Sequence, residues 1–179
     1  MKVIQTDLPE VLLLEPRVFP DERGLFFEAY NRKQLGGIGI EQEFVQDNQS
    51  VSKKNVLRGL HYQIRQPQGK LVRVLSGEIF DVAVDCRRSS PHFGKTVQVK
   101  LSAENRKMIW IPRGFAHGFL VLSESAEVLY KTTDFYAPEF ERTLLWNDPA
   151  LGISWPVDGP LLSEKDRKGQ ILAVAETFA

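Results

Sequence analysis

The feature that most constrains this chain is its punctuation. Short apolar-rich runs alternate with Gly, Pro, Asn and Asp along most of the 179 residues. Val11–Glu15, Leu25–Tyr30, Phe44–Ser50, Leu57–Ile64, Leu71–Leu75 and Ile79–Asp85 are the first such runs. Val97–Leu101, Lys107–Ile111, Gly118–Leu122, Glu127–Tyr136 and Thr143–Trp146 follow. Turn-bounded runs at this spacing predict about ten short strands and an all-β sandwich or barrel. A doubly wound α/β fold needs a crossover helix between parallel strands, and the gaps here are too short for one. Asn31–Leu35 and Ser163–Arg167 read as short helices. Ser163 would cap the second, with Asp166 in place of the usual capping-box Glu. Ser76-Gly77-Glu78 reads as a hairpin turn between two strands. The expectation is a jelly-roll barrel with a few short helices at its termini, in one domain over residues 1–179. A chain of this length needs no disulfide or metal staple.

Charge and cysteine usage narrow the function classes. Twenty-three basic residues offset twenty-three acidic ones, which argues against nucleic acid as a partner. The single cysteine, Cys86, excludes an internal disulfide and points to a reducing compartment. The first residues lack the apolar stretch of a signal peptide. No window approaches the roughly 20 apolar residues of a membrane span. The expected location is the cytoplasm, with no membrane partner.

Strand parity locates the candidate site. In Glu127–Tyr136 the even positions Val128, Tyr130, Thr132, Asp134 and Tyr136 share one face. His117, Phe119 and Val121 share another, as do Gly59, His61 and Gln63. Polar and aromatic groups mixed on inward faces are what a ligand pocket needs. His92, in Ser89–Gly94, reads as a solvated loop residue. Cys86 has no base beside it in sequence and reads as structural. Arg23, Arg58, Lys70 and Arg73 lie near the aromatic and Gly-rich runs. Such cations beside aromatics suit a diphosphate next to a stacking base. No glycine-rich phosphate loop is present, so side chains would hold the phosphates.

Metal is the first chemistry to test, because cupin barrels carry a His-x-His motif and a second motif Pro-x-Gly-x-x-His. Pro112-Arg113-Gly114-Phe115-Ala116-His117 matches the second. In Gly59-Leu60-His61-Tyr62-Gln63, Gln63 stands where the second His of the first motif would be. The chain resembles a cupin without the usual ligand set. The chemistry left open is proton transfer by a histidine base, an orienting carboxylate, a tyrosine acid and a cation facing oxyanion charge.

Six segments together resemble one family. They are Asp21–Phe26, Phe44–Ser50, Arg58–Gln63 with Gln68–Val74, Ile111–Phe119, Tyr130–Tyr136 and Leu162–Asp166. In order and content they are similar to the dTDP-4-dehydrorhamnose 3,5-epimerases. The resemblance implies a cupin-type double-stranded β-helix, a homodimer, and no metal or other cofactor. It implies dTDP-4-dehydro-6-deoxy-D-glucose as substrate and dTDP-4-dehydro-L-rhamnose as product. It also implies roles: His61 as base, Asp166 as its partner, Tyr130 as acid and Lys70 as enolate stabiliser. Arg23, Glu28, Gln46, Asn48, Arg58, His117, Glu141 and Lys165 would hold nucleotide, diphosphate or sugar. Phe26 would contact the base, supplied across the dimer. Tyr136, on the same expected face as Tyr130, is the alternative acid. Three other readings stay open: a 5-epimerase or 3,4-ketoisomerase on a related sugar, a non-catalytic sugar-binding barrel, and a metal-dependent cupin oxygenase.

Overall fold

A computed structural model describes residues 1–179. Two antiparallel sheets face each other. The first sheet contains β1 (Lys2–Gln5), β2 (Leu12–Glu15), β5 (Gln46–Lys53), β7 (Lys70–Ser76), β10 (Met108–Ile111) and β12 (Ser125–Thr132). Their order is β1-β2-β10-β7-β12-β5. The second contains β6 (Leu57–Gln63), β8 (Glu78–Asp85), β9 (Thr96–Ser102), β11 (Phe115–Val121) and β13 (Glu141–Thr143), ordered β13-β6-β11-β8-β9. β3 (Val18–Asp21) and β4 (Gly24–Phe27) form a separate hairpin. The helices are α1 (Arg32–Gly36) and α2 (Glu164–Arg167). This is the all-β, cupin-type jelly roll expected.

Alternation builds the core. Val72, Val74, Ile109, Ile111 and Val128 from the first sheet meet Ile79, Ala83, Val97, Phe115 and Val121 from the second. The opposite faces are covered too. Leu71, Met108 and Trp110 pack under Leu35 and Ile40. Leu60, Tyr62, Val82, Val84 and Ala116 pack under Leu144, Leu151, Leu172 and Ala175 of the C-terminal segment. Both faces of β8 and β11 are therefore buried, which is why their sequences read as nearly unbroken apolar runs.

Several boundaries differ from expectation, each for a visible reason. Ser76-Gly77-Glu78 is a turn between sheets, not a hairpin. β7 is already paired with β10 and β12, and β8 with β9 and β11, so neither has an edge left for the other. The run expected to reach Tyr136 leaves the sheet at Thr132, where Thr132 Oγ1 donates to the Asp134 carbonyl at 2.9 Å. Asp134 consequently lies outside the inward face. Strands β1 and β3 carried no clear signal, and β13 begins before the expected Thr143. The expected Ser163 cap holds, its Oγ accepting from Asp166 N, and Asn31 Oδ1 caps α1 by accepting from Gln34 N.

The crossing of β6 and β11 is the tightest point in the fold. His61 pairs with His117, but Arg58 pairs with Phe119, so β6 holds one extra residue in a bulge. Gly59 adopts φ +128°, and a Cβ there would lie 2.4 Å from Gly118 Cα. A Cβ on Gly118 would lie 2.6 Å from the Arg58 carbonyl oxygen. Neither clash can be relieved by a rotamer change, since the obstacles are backbone. Gly118→Ala is therefore expected to lower stability by about 3 kcal/mol, or a melting temperature about 6–12 °C below wild type. A wild-type thermal scan from this variant would mean that the strands do not approach so closely.

Candidate active site

The strands that build the core at one end of the sandwich build a polar cavity at the other. β7 contributes Val72 and Val74 to the core and Lys70 to the cavity; β12 contributes Val128 and Tyr130 in the same way. The cavity has a volume of about 640 Å³, and only four of its 19 lining residues are hydrophobic. Its size is that of a small-molecule site, and its polarity far exceeds the usual. Gln46, Asn48 and Ser50 enter from β5, His61 and Gln63 from β6, His117 and Phe119 from β11, Glu141 from β13, and Lys165 and Asp166 from α2.

Its central contact joins β6 to α2. His61 Nε2 lies 2.5 Å from Asp166 Oδ1. Asp166 is almost wholly buried, and its other oxygen accepts from Ser163 Oγ at 2.8 Å. Burial opposes the charge on Asp166. Hydrogen bonds from His61 and Ser163 and the charges of His61 and Lys165 overcome it, leaving the carboxyl below its ordinary value. Burial lowers the His61 imidazole below its ordinary value, against the pull of Asp166. With Asp166 ionised and the ring neutral, Nε2–H donates to the carboxylate. Nδ1 then carries the lone pair.

Position of the C-terminal segment follows from backbone pairing. Leu144 N donates to the Leu60 carbonyl, Leu145 N to the Gln170 carbonyl, and Gln170 N to the Thr143 carbonyl. Gly169 lies flat on this junction, where a Cβ would come within 2.7 Å of Leu144 and Leu145 backbone atoms. Residues 143–145 therefore clamp the segment carrying α2 against the strand carrying His61.

Lys70 is buried on the inner face of β7, and its Nζ donates to the His61 carbonyl at 3.2 Å. Burial depresses its ammonium to about 8, with Glu141 and Asp81 pulling the other way. Burial raises the Tyr130 phenol, which stays protonated at neutral pH. A second buried pair, His117 Nε2 to Asp81 Oδ2 at 2.8 Å, sits beside His61. At the rim, Glu141 accepts from Tyr136 OH at 3.1 Å and from Lys165 Nζ at 2.9 Å. Arg58 also lines the cavity. Simple alternation would have turned it away from His61, and the bulge restores it to the same side.

The expected catalytic four, His61, Asp166, Tyr130 and Lys70, thus meet in one cavity with Gln46, Asn48, Arg58, His117, Tyr136, Glu141 and Lys165. Three expected residues stand outside it. Arg23, Phe26 and Glu28 lie on or just after the β3–β4 hairpin. Arg23 is tied to Asp21, Glu28 accepts from Asn31 and Gln34, and the Phe26 ring is 66% exposed. Arg73 points away from Lys70 and lies over the Phe27 ring. His92 sits in the β8–β9 loop and does not reach the cavity. Burial raises the Cys86 thiol to about 12, which leaves it unreactive. Residues not foreseen include Ser50, Gln68 and Ser163, of which Ser50 and Ser163 had a readable signal. Ser50 shares strand parity with Asn48, and Ser163 is the cap of the helix bearing Asp166. No three histidine, cysteine or carboxylate side chains converge as a metal-ligand set.

The profile of the dTDP-4-dehydrorhamnose 3,5-epimerases matches residues 5–173. An enzyme of that name from Pseudomonas aeruginosa is 62% identical over 99% of both chains. One from Shigella flexneri is 57% identical, again over 99% of both. A solved dTDP-6-deoxy-D-glucose-3,5-epimerase from Legionella pneumophila, in complex with dTDP-4-keto-L-rhamnose, superposes with a TM-score of 0.95 at 50% identity, covering 98% of this chain and 94% of that one. A 3'-monoepimerase from Streptomyces bikiniensis, in complex with dTDP-quinovose, superposes at 0.87 with 33% identity, covering 94% and 87%. On the strength of the profile and the full-length relatives, this chain belongs to the dTDP-4-dehydrorhamnose 3,5-epimerase family.

Proposed function

We propose that the chain is a 3,5-epimerase of dTDP-4-dehydro-6-deoxy-D-glucose, working as a single domain without a metal or redox cofactor. The observation that carries this reading is the His61–Asp166 contact inside a polar cavity faced by Tyr130 and Lys70. A C–H beside a ketone becomes acidic only when the charge can move to oxygen. His61 Nδ1 takes the proton from C3 or C5, and Asp166 stabilises the imidazolium that forms. Electron density moves to the C4 oxygen, where the Lys70 ammonium meets it. Tyr130 then donates its phenolic proton to the carbon from the other side.

The two sheets suit this division of labour. His61 stands on the second sheet and Tyr130 on the first, so a ligand between them meets base and acid on opposite faces. Solvent then reprotonates the tyrosinate and removes the proton from His61. Arg58 and Lys165 offer positive charge for the diphosphate, while Gln46 and Asn48 offer amides for base or sugar.

The exposed Phe19, Leu25 and Phe26 on the β3–β4 hairpin support a homodimer in which Phe26 stacks on the base in the partner's cavity. This would account for three site residues that miss the cavity of their own chain. The location proposed is cytoplasmic, since the one thiol is buried and unpaired; no helix is long and apolar enough to cross a membrane.

Incubation with the substrate in heavy water tests the reaction. Deuterium is expected at both C3 and C5. Label at one carbon alone would reassign the chain as a monoepimerase. His61→Ala is expected to reduce exchange at both carbons by 10²–10⁴-fold while leaving dTDP binding intact.

The pH profile of kcat/KM should show two limbs. Activity is expected to rise as pH passes the lowered imidazole value, below 6.5, and to fall as pH passes about 8, where Lys70 loses its proton. Lys70 also has a stability signature. Below about 8 it is charged in the folded and unfolded states, and its burial costs about 3 kcal/mol. That penalty fades between about 8 and 10.5, where only the unfolded chain still holds the proton. Lys70→Met should thus melt above wild type at pH 7, lose most turnover, and show no melting advantage at pH 10.5.

For the dimer, Phe26→Ala is expected to raise KM about tenfold at unchanged kcat, the worth of one base-stacking contact. Light scattering showing only monomer for wild type would remove this part of the proposal.

A further inference from the structure

Tyr136 reaches the cavity from a loop, with 52% of its surface open. An exposed phenol on a loop has many rotamers and a mobile backbone, so whatever fixes it also decides what it can do. Here the main chain on both sides of Tyr136 is gripped by one buried side chain. Gln63 Nε2 donates to the Phe135 carbonyl at 3.2 Å, and Gln63 Oε1 accepts from Ala137 N at 2.9 Å. Tyr136 N itself donates to Gln46 Oε1 at 3.0 Å.

Gln63 is 3% exposed, and a second bond from Nε2, to the Gln66 carbonyl at 2.8 Å, uses its remaining donor. A carboxamide with two donor hydrogens and one acceptor engaged can sit in only one orientation. No carboxylate, thioether or imidazole reproduces donors on one side and an acceptor on the other at this length. Gln63 also pairs across β6–β13 with Glu141, whose Oε2 accepts from the Tyr136 hydroxyl. One strand pair therefore holds the backbone of Tyr136 through Gln63 and its side chain through Glu141. The same strand carries His61 two residues earlier.

We infer that Gln63 is a positioning residue that fixes Tyr136 at the mouth of the cavity and thereby seats the substrate against His61. The inference rests on the reading of the cavity as a dTDP-keto-sugar site. It assigns a task to the position where a metal-binding cupin would carry a second histidine.

The test is a double-mutant cycle of Gln63→Met, which keeps the length and loses every hydrogen bond, and Tyr136→Ala. KM and kcat are measured for deuterium exchange at C3 and C5. Gln63→Met is expected to raise KM about tenfold, the worth of one hydrogen bond from Tyr136 to the substrate, while kcat changes less than about threefold. In the Tyr136→Ala background the same substitution is expected to change KM less than about twofold. An equal rise in KM in both backgrounds, or no rise in either, overturns the inference. If Gln63→Met does not fold, Gln63→Glu enters the same cycle with the same two outcomes. A wild-type protein that exchanges no deuterium would refute the substrate assignment instead. A crystal structure of the Gln63 variant would then decide the positioning claim by whether residues 133–137 keep their path.

Discussion

His61 and Asp166 lie 105 residues apart in sequence and 2.5 Å apart in space, and much of the molecule serves that meeting. The C-terminal segment has to return across the second sheet to deliver Asp166. It is held there by backbone bonds at residues 143–145 and by Leu151, Leu172 and Ala175 packing on the outer face. Removing that cover would expose the apolar side of β6, β8 and β11 and withdraw the carboxylate together. Fold stability and the base activation proposed for His61 are coupled through one strap of chain. An aspartate held by a cap serine and a histidine is also pre-ionised, so nothing has to reorganise when the imidazolium appears.

The cavity's polarity follows from the same alternation that makes the core. Inward positions on β7 and β12 are apolar towards one end and Lys70 and Tyr130 towards the other. No separate domain or long insertion is needed to make a site. A sandwich whose inner residues change character along the strands is enough. The exposed hairpin is the exception. Its apolar side chains satisfy neither core nor cavity in one chain, which is the physical ground for expecting a second copy.

Much of this was legible beforehand, and the failures are informative. Period-two alternation correctly turned His61, His117 and Tyr130 inward, because the β6 bulge lies before His61 and the other two sit in regularly paired stretches. It failed for Arg58, where the bulge at Gly59 inserts a residue and reverses the parity. It failed for Asp134, since the strand stops at Thr132 and the loop obeys different rules. The turn at Ser76–Glu78 has hairpin residues but joins two sheets, because local turn chemistry does not say which edges are already paired. Asp166 could be read as a helix-cap residue from its neighbours. Its contact with His61 came only from resemblance, since no periodicity links positions so far apart.

Lys70 shows what such a site demands of the fold. A buried ammonium with no paired carboxylate, donating to a backbone carbonyl, is unfavourable. The same isolation is what makes it useful. In the mechanism proposed, this desolvated and already placed ammonium gains an oxyanion partner only when charge develops at the sugar's C4 oxygen, so its attraction favours the enolate over the ketone. A salt bridge in the resting state would have quenched that difference. The nearby carboxylate of Glu141 is instead engaged with Tyr136 and Lys165, and Asp81 with His117. The anions around the cavity are thus occupied by other partners, and the Lys70 ammonium is left without a carboxylate partner, as the proposed role requires.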